Sequence, residues 1–334
     1  MRFLATLTLC LLLATLPAPL PAHAEACHGR NLISALPPAE LAALQARAEV
    51  PFAHGNLWKA TKDGQQITLA GTYHLNDPRF APILDTLAPH LAKAAVLLVE
   101  SGPLEEAALK AKIARDPSLM LMATGHTLPE LLSDADWQSL STALKARGMM
   151  PFMAARMQPW LVASMLQIPA CMFPLAGNGD QGLDKLLMAR AAAQGLPIRA
   201  LEPADAVLTM FSQFGRAEQL DMLVQTVATD AQSDDMSVTL SDTYFAGESR
   251  LFWEFTRDQM LSLPDMTAAR ADTEMALMEK AMITTRNAAW IAVLQAEAAR
   301  GPVLAAFGAL HLPGEAGVLN LLAQNGWTVT RITP

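Results

Sequence analysis

Two stretches of this sequence share one arrangement. Ala70-Gly71-Thr72-Tyr73-His74-Leu75 and Phe307-Gly308-Ala309-Leu310-His311-Leu312 each set a glycine, two residues and a histidine directly after an apolar run. Two further apolar runs end in acids, Ala95 to Val99 in Glu100 and Leu196 to Leu201 in Glu202. Glycine at such a point lets the backbone turn sharply or lets a ligand approach it. Two imidazoles with one or two carboxylates are the ingredients of a divalent-metal site with room for water. Imidazole and hard oxygen donors without thiolate suit manganese, cobalt or zinc. An ion held there would lower the pKa of a water and polarise a carbonyl. A lone histidine after a strand is usually a capping or hydrogen-bonding group, and an acid there is usually solvated. The weight lies in the matched pair. His28, His54, His90 and His126 have no such placement and read as structural or surface residues.

These side chains need strands that end together. Leu57 to Ala60 and Gln66 to Ala70 read as two strands around Thr61-Lys62-Asp63-Gly64, whose Asp-Gly pair marks a hairpin turn. Helical text follows from about Phe80 to Ala94, with an interruption expected near Pro89, and then comes the unbroken apolar strand before Glu100. Apolar strands separated by helix point to a parallel sheet covered on both faces. Leu104 to Arg190 and Ala204 to Glu297 are largely helical, with breaks at residues such as Pro117, Gly148, Pro159, Gly247 and Pro264. Thr127-Leu128-Pro129-Glu130 is a helix start with proline in its first turn. Strands at 302–307 and 328–332 close the chain. The fold class is therefore α/β: a mixed, largely parallel central sheet with flanking helices and a large helical insertion. No low-complexity linker divides it, so residues 25–334 form one domain. A parallel strand delivers its side chains to the carboxyl edge of the sheet, where such folds bind ligands. The 18 methionines read as adaptable core filler rather than as metal ligands.

The N-terminus carries a different signal. Arg2 precedes the apolar run Phe3 to Leu16, prolines at 17, 19 and 21 end it, and Ala22-His23-Ala24 is a small-residue cleavage signature. That is a signal peptide over 1–24, too short and too soon broken to span about 30 Å of hydrocarbon. Cys10 lies inside the apolar run, away from where a lipid-anchor cysteine would stand. A periplasmic or secreted protein is expected, with no membrane span after cleavage. The formal charge of −8, with only Arg2 lost to cleavage and no basic block elsewhere, argues against nucleic acid and anionic membrane as partners. Cys27 and Cys171 remain. In an oxidising compartment an even pair reads as a disulfide, the other reading being two buried thiols.

The ordered set of motifs resembles the TraB/GumN family, which includes the animal Tiki proteases. The likeness runs through Leu57-Trp58-Lys59, Gly71 to His74, Glu100 and Pro159-Trp160. It continues through Gly182-Leu183-Asp184, Leu201-Glu202, Arg286-Asn287 and Gly308 to His311, nearly the whole mature chain. Unlike the animal relatives, this sequence shows no transmembrane tail. The resemblance implies metal-dependent hydrolysis, with a peptide or protein as substrate in the Tiki branch. It maps His74, Glu100 and His311 onto metal and catalytic positions. Glu202 would be a further ligand or the general base. Arg286 would bind a substrate carboxylate or an oxyanion, or would be a structural ion pair with the acids. Gly71, Gly308, Asp184 and Asn287 belong to the motifs, Asp184 as a helix-start residue or a support for a ligand. A second reading is a non-catalytic periplasmic protein of the same fold that holds a metal or a haem-type ligand.

Overall fold

The computed structural model describes residues 27–173 and 182–333; the signal peptide expected over 1–24 lies outside them. The strands are β1 Leu57–Lys62, β2 Gln65–Thr72, β3 Val96–Val99, β4 Ile198–Ala200, β5 Val303–Gly308 and β6 Thr328–Arg331. They form one six-stranded sheet in the order β4-β3-β5-β2-β1-β6. The β4, β3, β5 and β2 neighbours pair in parallel, and β1 runs antiparallel to β2 and β6. This is the mixed, mainly parallel sheet that the apolar runs imply.

The main helices are α1 Pro38–Ala48, α2 Phe80–Lys93, α3 Pro103–Arg115, α4 Asp134–Ala146, α5 Pro159–Leu166 and α6 Leu183–Ala193. They continue with α7 Arg216–Thr229, α8 Ser233–Ala246, α9 Ser249–Leu261, α10 Ala268–Glu279, α11 Thr285–Ala298 and α12 Val318–Gln324. Successive strand residues point to opposite faces, and both faces are apolar because both are covered. Val303, Ala305 and Phe307 of β5 pack with Trp290 and Leu294 of α11 and Leu319 of α12. Leu304 and Ala306, one residue out of phase, pack with Leu84 and Leu87 of α2 and Leu187 of α6. Each fully buried Leu or Phe in these layers contributes about 1.5–3 kcal/mol. Leu304→Ala would open a cavity and cost about 2–5 kcal/mol.

The insertion has its own core, with Leu140 and Leu144 of α4 against Val162 and Leu166 of α5 and Leu223 of α7. Thr127 starts a short helix through a capping box in which its N–H donates to Glu130 Oε2 at 2.6 Å. Helix α2 runs through Pro89 without the expected interruption. Proline removes one helical hydrogen bond, but Pro89 and Asp85 are both exposed on α2, so the freed carbonyl lies on its solvent side.

Candidate active site

Register brings the functional residues to one edge. β2 and β5 pair with Ala70 opposite Ala306 and Thr72 opposite Gly308, while β3 pairs with Val99 opposite Ala306. His74, Glu100 and His311 therefore leave adjacent strands at the same level. Glu202 leaves the neighbouring β4, which pairs with β3 through Val99 and Ala200.

Glycine is required where the turns meet. A Cβ on Gly71 would stand 2.6 Å from Leu312 Cδ1 and 2.9 Å from Ala309 Cα, so the second histidine turn packs directly on the first. Gly71 is also pinned: its N–H donates to Asn56 O at 2.7 Å and its carbonyl accepts from the Tyr244 hydroxyl at 3.0 Å. A Cβ on Gly182 would overlap the backbone of His74. That close approach lets Leu183 N–H donate to Tyr73 O at 2.9 Å and sets Asp184, in the first turn of α6, 3.2 Å from His74 Nδ1.

The two histidine turns and Glu100 surround one point. A Cβ on Gly308 would stand 3.3 Å from His74 Nε2, 3.4 Å from Glu100 Oε1 and 3.6 Å from His311 Cδ2. The hydrogen-bond network assigns both tautomers. Asn287 uses its Nδ2 to donate to His311 O at 3.2 Å and Ala316 O at 2.8 Å, so its Oδ1, 2.6 Å from His311 Nδ1, accepts from that nitrogen. The Asp184 carboxylate likewise accepts from His74 Nδ1. In the neutral rings the lone pairs then sit at Nε2.

Burial drives the His311 pKa down to about 3, with the Arg286 and His74 charges adding to it and the Glu100 charge only partly offsetting them. His311 is thus neutral at physiological pH. Neighbouring protein atoms work against a charge on His74 even though its side chain is 60% exposed, but the Asp184 hydrogen bond and the Glu100 and Asp184 charges outweigh this, and its pKa is raised. Burial works against ionised Glu100, yet His311, Arg286, His74 and the Gly308 N–H together hold its pKa down at about 2. Gly308 N–H donates to Glu100 Oε1 at 2.7 Å.

Arg286 lies among the acids. Helix α10 passes through a π turn at Lys280–Thr284 into α11, and such turns frequently mark functional positions. The guanidinium of Arg286 holds Glu202 with both arms: Nε donates to Oε2 and Nη2 to Oε1, each at 2.8 Å. Nη2 also donates to Glu100 Oε2 at 2.5 Å, and Nη1 to His311 Nε2 at 3.2 Å and Met282 O at 3.1 Å. The indole of Trp290 lies under it, 4.9 Å from Cζ to the ring centroid, and donates Nε1–H to Glu202 Oε2 at 3.3 Å. Both oxygens of Glu202 are therefore committed to Arg286 and Trp290. Its contacts are those of an anchor for the guanidinium.

His74, Glu100 and His311 are donor types that suit a divalent ion, each imidazole steadied at Nδ1 by an oxygen. Their donor atoms do not all lie within 4.8 Å of one another, however, and Arg286 occupies His311 Nε2 and Glu100 Oε2. The guanidinium of Arg286 stands among these donors and spaces them. Among the described residues, the one set of three donor atoms within 4.8 Å of one another is Cys27, Cys171 and Asp234. The two sulfurs of that set are joined as a disulfide 144 residues apart in sequence, with Cα atoms 5.5 Å apart.

Sequence reasoning placed His74, Glu100, Glu202, Arg286 and His311 at one site, and the fold brings them together. It named Asp184 and Asn287 only through their motifs and missed Trp290 and Tyr244. The spacing of Arg286, Asn287 and Trp290 on one helix was the available signal for Trp290. Tyr244 gave none, because its contact with Gly71 spans the whole insertion. Of the other histidines, His54 Nε2 pairs with Glu49 Oε2 at 3.0 Å and His90 Nδ1 meets Thr68 Oγ1 at 3.2 Å, both away from the edge.

The sheet and its paired histidine turns define a class: mixed α/β proteins with a His/Glu cluster at the carboxyl edge. The pattern of the TraB/PrgY/gumN family matches residues 56–331, every strand included, and the chain belongs to that family. No curated protein matches the chain.

Proposed function

We propose that this protein is an exported, metal-dependent hydrolase whose substrate is a peptide or protein. One observation supports the reading: two imidazoles on adjacent strand ends are each fixed at Nδ1, by Asp184 or Asn287, and stand with Glu100 around Gly308, His311 Nε2 being 3.2 Å from Arg286 Nη1. His74, Glu100 and His311 would hold the ion, with manganese, cobalt and zinc all suited to the set. A bound divalent ion would supply Lewis acidity and a water ionised near neutral pH.

The other roles follow from the contacts. A pKa near 2 keeps Glu100 ionised throughout the working range, which suits a ligand better than a proton carrier. Glu202, with both oxygens engaged, fixes Arg286 in place. Arg286, 19% exposed, would present its charge to an oxyanion or a substrate carboxylate. The disulfide supports folding in an oxidising compartment, in line with the leader. Among the described residues no helix is long and apolar enough to cross a membrane.

The test is cleavage of a peptide library by purified mature protein, with and without chelator. Cleavage that chelator stops and metal restores is the expected result. Purified protein that cleaves no peptide, metal-loaded or not, would leave the non-catalytic binding reading in its place.

A further inference from the structure

A guanidinium has five N–H donors, and the contacts of Arg286 use all of them. Three hold it to a seat. Nε–H and one Nη2–H donate to the two oxygens of Glu202, each at 2.8 Å, and one Nη1–H donates to Met282 O at 3.1 Å. The indole of Trp290 lies against the same group, 4.9 Å from Cζ to the ring centroid. The other two donors reach the candidate ligands: Nη2–H donates to Glu100 Oε2 at 2.5 Å and Nη1–H to His311 Nε2 at 3.2 Å. The second Glu100 oxygen accepts from Gly308 N–H at 2.7 Å. Among the described residues, only His74 of the three keeps its ligand atom, Nε2, clear of a hydrogen-bond partner.

We propose that Arg286 is the resident cation of this site, and that a divalent ion reaches Glu100 and His311 only by taking them from its guanidinium. The inference rests on the metal-dependent reading and adds the competitor that an ion must displace. His311 Nε2 has a single lone pair, so it cannot serve Arg286 and an ion together. Charge works in the same direction. Glu100 and Glu202 carry −2 and Arg286 carries +1, which leaves −1. A divalent ion added beside the guanidinium turns that to +1, whereas without the guanidinium it brings the three groups to neutrality. Like charges a few ångströms apart repel strongly where water is largely excluded. The seat makes the exchange local: two donors let go, while Glu202, Met282 and Trp290 keep Arg286 in place. A residue that only supports a metal ligand acts with the opposite sign, since its loss weakens affinity by about 10–100-fold. The direction of the change therefore separates the two roles.

The experiment measures cobalt affinity at neutral pH on full mature protein, by competition with a chromophoric chelator, so that no turnover enters. Arg286→Met should bind cobalt at least about tenfold tighter than the natural chain, a difference of about 1.4 kcal/mol. Arg286→Lys keeps a cation but loses the planar fork, and should tighten binding by about threefold. Its sign can be read even if Arg286→Met does not fold. Arg300→Met removes the same charge from a side chain 67% exposed, just before β5 and at the far end of that strand from His311. It should leave affinity within about twofold, as screened surface charges do. Equal or weaker cobalt binding in every Arg286 variant that folds overturns the proposal and leaves the metal-dependent reading standing. Cobalt bound by those variants and not by the natural chain keeps the proposal and removes the metal-dependent reading. Binding by none of these proteins overturns both.

Discussion

Arg286 sets the electrostatic balance at the edge, because one guanidinium serves Glu100, Glu202 and the lone pair of His311. Removing it leaves two largely buried acids facing each other. Arg286→Met should therefore destabilise metal-free protein by about 3–5 kcal/mol, the cost of breaking a buried ion pair. Added manganese or zinc should recover part of that loss by supplying the missing cation. Denaturant titration with and without metal checks both halves. Glu100→Gln keeps the shape and loses the charge, so hydrolysis should vanish while circular dichroism stays native. Glu105→Gln, in the first turn of α3, should leave activity within about twofold, as surface substitutions usually change little. Asn287→Ala frees the His311 tautomer and should weaken metal affinity by about 10–100-fold, measured by competition with a chromophoric chelator. These positions were legible to different degrees. His74, Glu100, Glu202 and His311 follow apolar runs and announce themselves. Arg286 and Asn287 sit in helical text, where only their motif spacing marked them. Arg286 meets Glu202 and Glu100, 84 and 186 residues distant, and Asn287 meets His311, 24 residues on, pairings that no local pattern encodes.

At the scale of elements, the strands were readable because β3 and β5 are buried on both faces and run as unbroken apolar text, while β2 is buried from Ile67 to Thr72 with Thr68 and Thr72 interrupting the apolar residues. The hairpin between β1 and β2 was readable from Asp63-Gly64, both with positive φ in the structure. The order of the strands was not readable. It follows from which helices cover which face, a property of the whole sheet. The π turn before Arg286 was equally hidden, since one extra residue in a helical turn leaves no compositional trace. Neither did the text of 182–184 disclose that α6 begins against the backbone of His74. That contact makes Gly182 a sharp probe. Gly182→Ala must push α6 away from His74 and loosen the Asp184 hydrogen bond, at a cost of about 1–3 kcal/mol for overpacking. Activity should fall further than stability alone explains. Activity retained at unchanged melting temperature would show that the α6 contact does not position His74.

Over the whole molecule, Cys27–Cys171 ties the start of the described chain to the end of the α5 region. Non-reducing mass spectrometry of mature protein should show the bridge, and Cys27→Ser with Cys171→Ser should cost about 2–5 kcal/mol. The site also gives the fold an acid-sensitive side. His311 titrates near pH 6.5 when unfolded and about 3 when folded, so below pH 6.5 the unfolded chain takes up a proton that the fold excludes. Glu100 goes from 4.5 to about 2, and its stabilisation is lost as pH falls from 4.5 toward 2. Both slopes have the same sign. Metal-free protein should lose stability from pH 6.5 downward, and His74, whose pKa is raised, opposes this only in part. Denaturant midpoints at pH 7.5, 5 and 3.5 should fall in that order.

In the proposed function, His74 and His311, far apart in sequence, share one ion with Glu100. Titration of chelator-treated mature protein with cobalt, followed by its visible absorption, tests this most directly. One equivalent should bind to the unmodified protein, with His74→Ala and His311→Ala each abolishing the absorption while remaining folded. One equivalent that survives both substitutions, or no stoichiometric binding at all, would contradict it.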